Sequence, residues 1–204
     1  GAEVLTHECT KRWVAMGHEV TQFSAMFPGG AETEAIDGVQ VIRAGSRYTV
    51  YWSAFQHYRQ SFKHGFDVVL DQINTLPFFA PLYVKEPIVA LFAQLAKEFW
   101  FHEIAFPLSA IGYAAEPWYL KLYRRTATVT ISPSSEFDLR RLGFSKVSVI
   151  PMGLGFEPLE TVPEKEAAPT MLYVARLQKA KQPEHAVLAF QIARSRIPGL
   201  QLWV

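Results

Sequence analysis

Leu5, Cys9, Trp13 and Met16 recur at i, i+4, i+8 and i+11, the apolar face of a helix that Gly17 stops. Val20 to Ser24 then reads as a strand, Phe27-Pro28-Gly29-Gly30 as a turn, and Val39-Gln40-Val41-Ile42 as a short strand. Phe55, Tyr58 and Phe62 mark a second amphipathic helix ending near Gly65. Asp67-Val68-Val69-Leu70-Asp71 is an apolar run between acids, the pattern of a strand buried on both faces, and Ile88 to Phe92 repeats it. Residues 94–125 are helical in character, with breaks expected near Pro107 and Pro117. Thr128 to Ile131 and Val147 to Ile150 are two further strands, separated by a short helix from Glu136 to Leu142 that Gly143 stops. Residues 157–169 hold three Pro and four Glu, the composition of a linker. Beyond it come a strand from Met171 to Ala175, a helix from Pro183 to Arg196 and a strand from Leu200 to Val204.

Strands that alternate with helices, several of them uniformly apolar, predict an α/β fold: a Rossmann-like parallel sheet with helices on both faces. Ligands of such sheets sit beyond the carboxyl ends of the strands. The chemistry is therefore expected at Asp71 to Thr75, Phe92 to Gln94, Ser132 to Ser135, Pro151 to Gly153 and Arg176 to Lys181.

Composition narrows the function classes. The chain has 204 residues, 50% of them hydrophobic, enough for one full core and too little for two. A net charge of +1 gives no electrostatic case for nucleic acid. The single Cys9 excludes an internal disulfide and fits a reducing compartment. No apolar run approaches the roughly 18 residues of a membrane span. Glu3, His7, Glu8, Lys11 and Arg12 interrupt any secretion-signal core, and a first residue of Gly1 suggests a natural start upstream.

Arg176 and Lys181 bracket a loop between an apolar strand and a helix. A diphosphate needs compact positive charge, and a helix N-terminus adds N–H donors and the favourable end of its dipole. A solvated surface pair is the plain alternative. Gly1 would let backbone approach a phosphate closely, unless it is simply a trimmed end. In Ser132-Pro133-Ser134-Ser135, Ser135 reads as the N-cap of the following helix with Asp138 at its third position, while Ser132 stays open as a ligand contact.

Asp71, Gln72 and Asn74 leave a strand end as ligand contacts or turn formers. Glu98 and Glu103 flank Phe99-Trp100-Phe101-His102; two carboxylates among aromatics suit sugar contacts, or else are the wet acids of an amphipathic helix. The six histidines show no metal spacing, and there is no Gly-x-Ser-x-Gly, Walker loop or Cys/His cluster. The run from Trp118 to Arg125 offers either a peripheral membrane contact or, the plainer reading, a helix packing its aromatics inward.

Taken together, these segments resemble glycosyltransferase family 4, retaining enzymes of the GT-B fold. Gly1-Ala2-Glu3 is similar to the second half of that family's Gly-Gly-x-Glu opening, and Gly17-His18-Glu19-Val20-Thr21 to its next strand entry. Val149-Ile150-Pro151-Met152-Gly153 resembles its V-I-P-N-G element. Tyr173-Val174-Ala175-Arg176-Leu177 with Lys181 resembles its donor loop, Y-V-G-R-L-x-x-x-K-G. Asp71 to Thr75 and Glu98-Phe99-Trp100 look like a subgroup of the family.

The resemblance implies two Rossmann-like domains facing a cleft, with residues 1–157 as the acceptor-side domain lacking its first strand, 158–169 as linker and 170–204 as the start of the donor-binding domain. It implies retaining transfer from a nucleotide sugar, a UDP- or GDP-sugar, to a glycan or lipid-linked acceptor, without a metal or other cofactor. Arg176, Lys181 and the Gly1 backbone would hold the donor diphosphate; Asp71, Gln72, Asn74, Gln94, Glu98, Ser132 and Gly153 would line the cleft; Glu98 and Asn74 are the catalytic candidates. The setting expected is cytoplasmic, with a peripheral position at the inner face of the membrane as the further option.

The chain also departs from the family. Met152 replaces the usual Asn, Ala175 the usual Gly, Gln182 the Gly after the lysine, and Ala93 a frequent His. A non-catalytic relative that binds a glycan or a partner is therefore the competing expectation, with a different GT-B or Rossmann enzyme, such as an epimerase or phosphorylase, behind it. The 204 residues alone are expected to be marginally stable and inactive.

Overall fold

Parallel strand pairing dominates the computed structural model, which describes residues 2–153, 155–178 and 181–204. Helix α1 (Ala2–Ala15) ends where Gly17 takes a φ of 93°. Strands β1 (Thr21–Ser24), β2 (Thr33–Ile36) and β3 (Val39–Arg43) form a sheet in the order β1-β3-β2, with β1 parallel and β2 antiparallel to β3. The β2–β3 turn is Asp37-Gly38, both with positive φ, the chemistry of a tight hairpin. A Cβ at Gly38 would meet Val14 Cγ1 at 2.7 Å, so glycine also lets α1 close on the turn. His7 and Lys11 of α1 reach Asp37 at 3.0 and 3.8 Å.

Helix α2 (Val50–His57) runs into a π-turn at Tyr58–Phe62. Then follow β4 (Val69–Ile73), β5 (Ile88–Phe92), the short α3 (Trp100–Glu103), α4 (Leu108–Tyr119), β6 (Ala127–Thr130), α5 (Pro133–Arg141) and β7 (Val147–Val149). These four strands pair in sequence order, all parallel. With helices packed on it, this is the Rossmann-like sheet the sequence predicts. Its core joins Ile73, Ala90, Phe92 and Val147 to Leu139 of α5 and to Leu120 and Tyr123 just past α4. Strand β8 (Thr170–Leu172), α6 (Pro183–Arg194) and β9 (Gln201–Trp203) make one strand–helix–strand unit with a parallel pair.

Several expectations are corrected. Strand β4 lies two residues later than the apolar run suggests, because its pairing of Val69 with Ile88 through Ile73 with Phe92 sets the register. Asp71 and Gln72 are thus inside the strand, and only Asn74 and Thr75 lie beyond it. Nor is β4 buried on both faces: Asp71 and Ile73 are buried, Leu70 is exposed.

Pro117 does not break α4; it is solvent-exposed in the helix's last turn, where its missing N–H costs one bond on the wet side. Ser132, not Ser135, caps α5: Pro133 takes the first helical position, and Ser132 Oγ accepts from Ser135 N at 3.2 Å. The inward packing expected of residues 118–125 holds for Leu120 and Tyr123 but not for Trp118, which is 70% exposed.

Candidate functional site

Two buried carboxylates shape the loops beyond β4 and β5. Asp71 is 2% exposed and accepts the Tyr123 hydroxyl on Oδ2, the Phe78 amide on Oδ1 at 3.3 Å and the Ala80 amide on Oδ2 at 3.3 Å. Burial raises its pKa, and those three donors work against the rise. The Tyr123 hydroxyl is pushed far up, first by burial and then by the Asp71 charge. The loop after β4 is fixed again where Tyr119 donates to the Thr75 carbonyl at 2.8 Å.

Glu116 of α4, 6% exposed, accepts the Ala96 and Lys97 amides, one on each oxygen, both at 2.8 Å. Lys97 sits at a φ of 42°, and its ammonium meets Asp138 of α5 at 2.6 Å. The Ser135 hydroxyl lies 3.5 Å from the Ala93 carbonyl. The ends of β5 and β6 are thereby tied together.

Among the cleft candidates, Asp71 is an internal clasp rather than an open contact, and Ser132 is occupied as a cap. Gln72 accepts from the Thr6 hydroxyl of α1, and with Asn74 it lines a polar cavity of about 210 Å³ that Thr6, Gln22 and Ser24 share. Asn74, Gln94, Glu98 and Gly153 are exposed, and a Cβ at Gly153 would meet nothing within 4 Å. Asn74 and Gln94 thus lie exposed just past β4 and β5, and Glu98 lies exposed in the 3-10 turn Lys97–Phe99.

Arg176 and Lys181 are both exposed and lie on either side of the turn before α6. The Lys181 amide donates to Gln178 O at 2.9 Å, and the Tyr173 hydroxyl to Lys181 O at 2.8 Å. Gln182, the residue at the N-cap of α6, has φ 50° and ψ 53°, a left-handed conformation. Ala175 has no positive φ, so alanine fits there without strain. Gly1 lies outside the described residues.

A larger cavity escaped the sequence reading. About 690 Å³ opens beyond β1 and β3, lined by Phe27, Glu32, Thr33, Arg43, Ser46 and His57. Arg43 is buried there, donating to Ala31 O at 3.0 Å and pairing with Glu34 at 2.5 Å, with its guanidinium 5.0 Å from the Phe27 ring centre. The strand's alternation carried the signal: Val39 and Val41 point inward, so position 43 does too. Among the described residues no cluster of His, Cys, Asp and Glu is arranged to hold a metal ion.

A parallel sheet with its polar loops gathered at the carboxyl ends defines a ligand-handling α/β protein of the Rossmann-like class. A family model for Glycosyltransferase Family 4 matches residues 1–155, and the chain belongs to that family. No curated protein matches the chain. Family membership carries a glycosyltransferase-like function, with a sugar donor and an acceptor as partners in general terms. No helix among the described residues is long and apolar enough to cross a membrane.

Proposed function

We propose that the chain serves transfer of a sugar, with retention, from a UDP- or GDP-sugar to a glycan or lipid-linked acceptor. The observation that carries this is the loop before α6, where two exposed cations, Arg176 and Lys181, precede a helix N-terminus. Arg176 and Lys181 bind the donor diphosphate and neutralise it as the bond from the anomeric carbon to the diphosphate oxygen breaks. Stabilising charge on a departing group is a large catalytic term. The acceptor hydroxyl attacks on the face the diphosphate leaves, and its proton passes to the diphosphate. In this reading the charge is met by side chains, without a metal.

The residues beyond β4 to β7 receive the acceptor, with Asn74 and Glu98 as the catalytic candidates and Gln94 and Gly153 at the cleft wall. Residues 1–157 form the acceptor-side domain, 158–169 the linker and 170–204 the donor-side portion. With this goes a cytoplasmic setting, peripheral to the inner face of the membrane when the acceptor is lipid-linked. Arg176→Ala and Lys181→Ala in the intact protein are each expected to lower turnover of a nucleotide sugar by about a hundredfold, roughly the value of one charge-stabilising contact. Normal rates in both would remove the donor-loop assignment.

Ala93 and Met152 favour a second reading, a non-catalytic relative that binds its ligand without turning it over. Calorimetry paired with product analysis separates the two: binding of a nucleotide sugar with no released nucleoside diphosphate supports the second.

A further inference from the structure

None of the residues proposed above for donor or acceptor lines the cavity beyond β1 and β3. Its walls are fixed by backbone bonds. The Met26 amide donates to Gly45 O at 2.8 Å, and the Arg43 amide to Glu32 O at 2.7 Å. The Phe27 ring lies against Gly30, where a Cβ would sit 2.9 Å from it, and half of the ring's residue surface stays open. A volume of about 690 Å³ falls within the roughly 300–1,000 Å³ of small-molecule sites. A rim held in this way loses little ordering entropy when a ligand enters.

The charge of the lining says what fits. Among the described residues that line it, Arg43 is the only Lys or Arg, and its guanidinium is met by Glu34 and by Ala31 O. The exposed Glu32 carboxylate adds a negative charge that no lysine or arginine of the lining is left to balance. An anion entering here meets repulsion. The lining offers hydrogen-bonding groups instead, including the hydroxyls of Thr33 and Ser46. His57 Nδ1 lies 2.9 Å from the Ser53 carbonyl, which can only accept, so Nδ1 carries the proton and Nε2 of the neutral ring is an acceptor. Ligand hydroxyls donate to a carboxylate and an imidazole of this kind, and the apolar C–H face of a sugar ring lies well on an aromatic wall.

We infer that this cavity binds a neutral, hydroxyl-rich ligand, a sugar unit without phosphate or carboxylate, with Phe27 as the stacking wall and Glu32 and His57 as acceptors for its hydroxyls. The binding is independent of the donor-loop reading. Only the use of the bound sugar, as part of the acceptor, rests on the sugar-transfer reading.

The test is saturation-transfer difference NMR of the intact protein with the methyl glycosides of glucose, galactose, mannose and N-acetylglucosamine. At least one should bind. The phosphorylated form of the same sugar should displace it at least about tenfold less well than the free sugar does. Phe27→Ala should weaken glycoside binding by about tenfold. Glu32→Lys, a change on an exposed side chain, should remove the handicap of the phosphorylated sugar, and so serves even if the alanine variant misfolds. Arg176→Ala with Lys181→Ala should leave glycoside binding unchanged, which keeps failure of this proposal distinct from failure of the donor-loop reading. Absence of binding by all four glycosides, equal displacement by free and phosphorylated sugar, or wild-type behaviour in both cavity variants would each overturn the proposal. So would loss of glycoside binding in the Arg176 and Lys181 double variant, which would place the sugar at the donor loop.

Discussion

The loops beyond β4 and β5 and the loop beyond β8 are built by opposite means. The first two are clasped from within: Asp71 and Glu116 are buried and together accept four backbone amides and a tyrosine hydroxyl. The third carries its charges outward, with Arg176 and Lys181 exposed and one side-chain bond, Tyr173 to Lys181 O, among its ties. Buried acids satisfied by backbone donors fix a loop before any ligand arrives. Exposed cations have no such internal clasp, so under the proposed reading their geometry is completed by the anion. The loops beyond β4 and β5 are thus preorganised, whereas the loop before α6, the proposed donor side, is not clasped in this way.

Asp71→Ala breaks the contrast most sharply. It leaves the Tyr123 hydroxyl and the Phe78 and Ala80 amides without their acceptor, at a cost of about 3 kcal/mol in urea unfolding. Glu116→Ala, which orphans two amides, should cost about 2 kcal/mol in the same measurement. If either variant unfolds like the wild type, the clasp is not what fixes its loop. At Gln182 the sign reverses. A left-handed residue before α6 is strained for any side chain, so Gln182→Gly should stabilise by roughly 0.5 kcal/mol, net of the added freedom of glycine in the unfolded chain. A loss of stability would show that the glutamine side chain makes a compensating contact.

The smallest effect is a pH dependence. The Asp71 carboxyl has a raised pKa in the fold, so between its ordinary and raised values the folded state binds more protons than the unfolded chain. Its contribution is fully present below the ordinary carboxylate range and is lost as pH rises through the raised value. Unfolding free energy should therefore fall across that window in the wild type, more steeply than in Asp71→Asn. Parallel curves would contradict the shift.

Legibility in the sequence followed how far each element's own pattern determined it. The run Ile88 to Phe92 is apolar throughout and coincides with β5. Strand β2 escaped notice because it is an edge strand, largely exposed, whose identity comes from pairing with β3 rather than from alternation of its own. The Asp37-Gly38 pair was the available clue. Asp71 was visible as a polar residue at a strand, yet its role depends on Tyr123, 52 positions away. Glu116 offered less still: an acid on an apolar helix reads as solvated until the amides of residues 96 and 97 are seen to turn toward it. Arg176 and Lys181, by contrast, were legible because their exposure and their place before a helix are local properties.

The claim that matters most is that the outward cations of the loop before α6 hold a diphosphate. Calorimetric titration of the intact protein with UDP and with GDP tests it directly. The account predicts that one of them binds, and that Arg176→Ala with Lys181→Ala abolishes the binding heat while leaving the thermal melt in place. Equal affinity in the wild type and the double variant would contradict it.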